Sequence, residues 1–342
     1  MMMKTQMAVA LLGALAALAA PVPARAQRPP VGTIDVYGLR KISAAQVREA
    51  LGINVGDSLS AMAMLTAPGR LADLPGVSSA ALDPVCCEGG KTMLYVGIAE
   101  DGAPALELRP PPVGASRLSA DIVAAGEAFA DAYMRAVMRG VVGEDVSEGH
   151  SLMADSAARA VQRRFVELAA RDLDSLRAVL RTASDADHRA LAAAVIAYAA
   201  DKKAVVPDLV YAMRDPSREV RNNATRALAL IALLGQRRPE LGIRVPYEPF
   251  IDLLNSIAWT DRNKASLALM QLSEGRDPAL LAALKARAFD ALVDIAHWTN
   301  PGHSLAGVFM LGRIAGIADA EILTMFERGD TQQVIDAARK GA

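Results

Sequence analysis

Residues Asp215 to Ile231 constrain what this chain can fold into more than any other segment. Asp215-Pro216 opens a turn. After it, Val220, Ala224, Ala227, Leu228 and Ile231 recur at helical spacing and define one buried face. The small Ala side chains let a neighbouring helix approach closely. The same two-helix pattern repeats from about residue 165. Leu173, Leu176 and Leu180 lead to a turn at Asp185, followed by Leu191, Val195 and Tyr198. Val206, Leu209 and Met213 lead to Asp215; Phe250, Leu253 and Ile257 lead to Asp261; Leu284, Ala291 and Ile295 lead to Asn300-Pro301. One helix pair cannot bury its own apolar face, but a stack of pairs can. The expectation is an all-α solenoid over 165–330, with a helical leader at 119–164 and a C-terminal tail at 331–342. The segment from Gln236 to Pro249, with three prolines, reads as a loop inserted between repeats.

The string carrying Asp215, Pro216, Val220, Arg221 and Ala224 resembles the second helix of a HEAT repeat. That resemblance implies a structural role: Asp215 and Arg221 would tie adjacent repeats together. It also implies a surface for binding rather than an active site. The unit at Asp261 carries Lys264 and Ala265 where the second unit has Val220 and Arg221, and the unit at Asn300 carries neither feature.

Composition agrees with helices packed on helices. Hydrophobic residues make up 52% of the 342, yet aromatics only 4%, so Ala, Leu and Val supply the core. Basic and acidic residues number 37 and 38. That balance excludes the strong field expected of a nucleic-acid binder. Residues 1–26 have the form of a secretory signal: Lys4, an apolar run from Met7 to Ala20, and a small-x-small site at Ala24-Arg25-Ala26. An exported, periplasmic or secreted product is expected, with no membrane span once the signal is removed.

Residues 27–101 differ in texture. Val31 to Val36 reads as a strand, Ser43 caps a helix, and a second helix starts near Ser60. Val77 to Leu82 and Thr92 to Ala99 read as strands, with a loop from Cys86 to Gly90 between them. The order is β-α-α-β-β, an α+β module ahead of the solenoid. Together with Ile34 to Leu39, Gly56-Asp57, Leu71 to Val77 and Val96 to Glu100, it resembles a POTRA (polypeptide-transport-associated) domain. The resemblance implies binding of partner polypeptides, in part by adding a strand to an exposed sheet edge. Residues 102–118, with Pro110-Pro111-Pro112, read as a semi-rigid linker.

Cys86 and Cys87 are the only cysteines. Three readings stay open for them: a vicinal disulfide stiffening the hairpin tip, a redox-labile pair, or intermolecular bridging. The four histidines, His150, His188, His297 and His303, show no metal-ligand spacing, and no nucleotide or hydrolase motif occurs. His188 reads as a surface residue, His303 as a helix cap, and Arg159, Arg163 and Arg164 as a solvated basic face. No cofactor is expected. The leading reading is a non-enzymatic, exported protein-binding or scaffold protein of the bacterial cell envelope, in envelope or outer-membrane protein assembly. Its partners would be proteins, held at the sheet edge and the concave face of the solenoid. The alternative is an envelope enzyme, a hydrolase or redox protein, whose polar residues Glu144, Asp145 and His150 converge with Arg159.

Overall fold

The computed structural model describes residues 29–340. The signal-like segment 1–26 lies outside them. An α+β module is followed by an all-α solenoid. The module contains β1 (Val31–Tyr37), α1 (Ala44–Leu51), α2 (Ala61–Ala72), β2 (Val77–Glu88) and β3 (Lys91–Glu100). Its sheet has the order β1-β3-β2, with β1 parallel and β2 antiparallel to β3. Ser43 begins α1 with a reciprocal capping box to Gln46, and Ser60 caps α2 through the Ala63 amide. The segment Cys86 to Gly90, expected as a loop, is not one. β2 runs on through both cysteines, and the hairpin turns at Gly89 and Gly90, whose φ of 54° and 75° suit glycine.

The helical part begins with α3 (Ala120–Met138). A two-strand hairpin follows, β4 (Glu144–Asp145) with β5 (Leu152–Met153). The helix pairs are α4 (Ser156–Thr182) with α5 (Ala186–Ile196), α6 (Lys202–Ala212) with α7 (Arg218–Arg237), α8 (Glu248–Leu253) with α9 (Trp259–Leu272), and α10 (Pro278–Ala296) with α11 (Pro301–Ile314). Asp185, Asp201, Ser217, Asp277 and Asn300 each cap a helix through a side-chain oxygen. A fifth pair, α12 (Asp319–Arg328) and α13 (Thr331–Lys340), replaces the expected tail. Its last helix buries Val334, Ile335 and Ala338, an i, i+1, i+4 stripe too short to stand out in sequence.

Two cores meet at one strand. Along β3, Leu94, Val96 and Ile98 point into the module's own core with Val47, Leu51 and Leu71. Met93 and Tyr95 alternate to the opposite face and join the solenoid core, which extends without a break to Ala338. The sheet is therefore covered on both faces. Tyr37 Oη donates to the Ile257 carbonyl at 2.6 Å, and Tyr95 stacks on Trp259. Trp298 meets both tyrosines edge-on. At Gly97 a β-carbon would collide with the Ile257 carbonyl, so only glycine lets the strand lie this close to the turn.

Residues 102–118 are not a free linker. They lie as an extended strap against the inter-helix turns. Arg109 N donates to the Arg214 carbonyl, Gly114 N to the Thr182 carbonyl, and Ser184 N back to the Gly114 carbonyl. The Arg109 guanidinium sits 3.2 Å over the Tyr211 ring. Proline supplies extended geometry here without asking for amide partners. No helix among the described residues is long and apolar enough to cross a membrane.

Candidate binding groove

The polar residues of the helix turns form a ladder inside the solenoid. Arg189 binds Asp215 in a two-pronged contact, both bonds 2.9 Å. Arg221 binds Asp261 at 2.7 Å and 3.1 Å, and Arg262 binds Asp294 at 3.0 Å. Each arginine also donates to carbonyls of its own turn: Arg189 to Ala183, Arg221 to Asp215 and Pro216, Arg262 to Ser256. Asp215 and Arg221 therefore lie in separate rungs. Both are buried, with Asp215 at 0% and Arg221 at 3% exposed. Pro216 begins the turn, and Val220 and Ala224 are core residues of α7. Arg262 was not recognisable as a rung, because it sits one residue after its turn aspartate whereas Arg221 sits six after Asp215. These bonds bury charge in pairs and leave nothing free for chemistry.

Cys86 and Cys87 are joined in a disulfide beside the hairpin turn. The next residue, Glu88, accepts from the Asn300 side chain at 2.9 Å, so the tip rests on the start of α11. Two histidines, His188 and His303, have structural partners. His188, read as a surface residue, is half-buried and accepts from the Leu118 amide at 2.9 Å, pinning the end of the strap. His303, read as a cap, is itself capped by Asn300 and places its Nδ1 2.6 Å from Tyr95 Oη. Among the described residues, no cluster of His, Cys, Asp and Glu could hold a metal ion.

The residues considered for an enzymatic centre do not converge. Arg159 donates to the Met153 and Leu152 carbonyls and braces the hairpin. Asp145 accepts from the Ser147 amide within its own turn. Glu144 pairs with Arg226 on α7. His150 lies against Lys202 at 2.9 Å and against the Tyr198 ring. Burial and the adjacent ammonium push the His150 imidazole down to about 4. It is neutral near pH 7, and among the described residues no carboxylate is hydrogen-bonded to it to set up a proton relay.

Glu144 and His150 instead help to line a groove with a volume of about 400 Å³. The groove runs along the row of second helices. α3 supplies Phe129 and Tyr133, α5 supplies Leu191, the turn after α5 supplies Tyr198, α7 supplies Asn222, Asn223, Arg226 and Leu230, and α9 supplies Lys264. The β4–β5 hairpin closes one end. At its base, Gln162 is buried; its amide donates to Tyr198 Oη at 3.0 Å, and its oxygen accepts from the Met153 amide. Tyr198 donates in turn to the Ser151 carbonyl, and burial pushes its hydroxyl up to about 12. The floor is thus fixed by hydrogen bonds; on the wall at α7 and α9, Asn223 donates to the Ala190 carbonyl and Arg226 pairs with Glu144, whereas Asn222 and Lys264 have no hydrogen-bond partner among the described residues. Sequence reading missed the groove because its residues come from six separate elements. The signal within reach was Lys264, a charge where the helix pattern asks for a small or apolar residue.

A family model for HEAT repeats matches residues 173–241, which span the end of α4 and the whole of α5, α6 and α7. No curated protein is a significant match. Among solved structures, a designed armadillo repeat protein in complex with the peptide (KR)4 aligns at 18% identity over 57% of this chain and 97% of its own, with a TM-score of 0.34. A computationally designed armadillo repeat protein for modular peptide recognition aligns at 19% identity over 54% and 93%, also at 0.34. An engineered protein aligns at 22% identity over 57% and 94%, again at 0.34.

Proposed function

We propose that the protein is an exported, non-enzymatic scaffold of the cell envelope, and that it holds a partner polypeptide in the groove along α3, α5, α7 and α9. The observation that carries this reading is the groove itself. It is open and continuous, apolar along one wall and polar along the other, and has no convergent acid, base or nucleophile. Solenoids present such faces because each repeat adds one strip to the same surface. The β-α-α-β-β order supports the POTRA-like reading of residues 27–101, and envelope or outer-membrane protein assembly is the setting that reading favours. In that reading a second partner strand joins the edge of β1 or β2, since β3 is paired on both sides. Export rests on the form of residues 1–26.

The test is a photo-crosslinking residue placed at Asn222 in the full-length chain, expressed in a Gram-negative host and read by mass spectrometry. An adduct that requires the groove, and that disappears when Leu230→Arg fills it, is the expected result. Adducts identical to those from the same crosslinker at the exposed Arg163 would overturn the proposal.

A further inference from the structure

The wall of the groove has an imbalance of charge. Lys264 is half-buried, and among the described residues its ammonium has no hydrogen-bond acceptor or ion-pair partner. Burial lowers its affinity for its proton, and so does nearby Arg226; Glu144, engaged with Arg226, offsets them only in part. Arg226 itself is bound to Glu144, the one carboxylate lining the groove among the described residues. Asn222 faces the same space, likewise without a partner among the described residues. α3 contributes Phe129 and Tyr133 and no charge, α5 and the turn after it contribute Leu191 and Tyr198, and His150 is neutral. Two cations against one anion leave a single positive charge beside an apolar wall.

A partly desolvated ammonium with no carboxylate in direct contact is unfavourable, and a carboxylate brought beside it removes that cost. One surplus charge suits one carboxylate better than a doubly charged phosphate. The volume suits one or two side chains. We propose that Lys264, with Arg226 and Asn222, receives the carboxylate of an Asp or Glu in the partner polypeptide, and that an adjacent apolar side chain packs against Phe129, Leu191 and Leu230. This inference rests on the protein-binding reading above and names the partner's chemistry.

The probe is an array of short synthetic peptides in which every member with Asp or Glu beside an apolar residue has an Asn or Gln twin. Hexanoate serves as a free-acid probe in a parallel thermal-shift arm. The full chain is expected to hold acidic members about tenfold or more better than their twins. Lys264→Gln should abolish that preference, and Lys264→Glu should transfer it to peptides with Lys or Arg. Circular dichroism confirms that each variant is folded. Binding that is blocked by Leu230→Arg but is the same for twins and indifferent to Lys264 would overturn the acidic seat and leave the scaffold reading intact. Failure to hold any peptide, with no effect of Leu230→Arg, would overturn both. Lys264-dependent binding of hexanoate with no peptide bound would refute a polypeptide source.

Discussion

Arg221→Met is the most informative single change to the fold. The methionine keeps the length of the side chain and removes the guanidinium. Three contacts to Asp261 are lost, at 2.7 to 3.1 Å, as are the bonds to the Asp215 and Pro216 carbonyls. The Asp261 side chain is 0% exposed and would retain only the Ser256 hydroxyl, at 2.6 Å. Orphaning a buried charge in this way costs about 3–5 kcal/mol. A domain's whole stability is about 5–15 kcal/mol, so the loss is a large share. Arg171→Met provides the comparison. Arg171 is 54% exposed and pairs with Asp172 and Asp121 in solvent, so its removal should leave the urea midpoint nearly unchanged. The assay is urea unfolding followed by circular dichroism, with hydrogen exchange at α7 and α9 to detect partial unfolding of the stack. Equal costs for the two substitutions would refute the reasoning. The double variant Arg221→Met with Asp261→Leu should recover most of the loss, because the orphaned charge goes with it. If it does not, lost packing rather than lost charge compensation explains the effect.

Three further outcomes are expected. Gly97→Ala should cost about 1–3 kcal/mol, because the new methyl group forces β3 away from the Ile257 turn; faster proteolysis in residues 101–118 than in wild type would report the undocking. Tyr37→Phe should cost about 1–2 kcal/mol, since it deprives the Ile257 carbonyl of its donor, and urea midpoints would measure it. Lys202 is 6% exposed, and burial pushes its ammonium down to about 8. Between there and its ordinary value near 10.5 the unfolded chain holds more protons, so stability should rise with pH across that window, by at most about 3 kcal/mol. Urea midpoints from pH 8 to 9.5, below the range in which tyrosines ionise, should climb for wild type and climb less steeply for Lys202→Met, in which only the half-buried Lys264 still contributes.

Local grammar was legible from the chain alone. Ser43 with Gln46, Ser60, Asp185 and Asn300 announce helix starts because a cap is a short-range hydrogen bond between near neighbours in sequence. The 3.6-residue stripes of α5, α7 and α9 announce stacked helices, because a single amphipathic face must find cover. The alternation of β3 marks a strand, and the two-helix repeat marks a solenoid. Cys86 and Cys87 were visible as a pair, but β2 continues through them because its ladder to β3 extends to Glu88 and Lys91. None of these signals says where the second face of the sheet goes. Met93, Tyr95 and Gly97 look like an exposed face until Trp259, Trp298 and the Ile257 carbonyl arrive from more than 150 residues away. The rungs Arg189–Asp215, Arg221–Asp261 and Arg262–Asp294 join residues in different repeats at unequal spacing. The strap looks like a linker because its partners are backbone carbonyls, which carry no sequence signature. The groove is the extreme case: α3, the hairpin and four helices of the solenoid meet there, and Lys264 acquires its meaning only from what surrounds it. Capping and periodicity are short-range and so are written in the sequence. Docking and charge balance depend on groups that only the folded chain brings together, so the tertiary structure decides them.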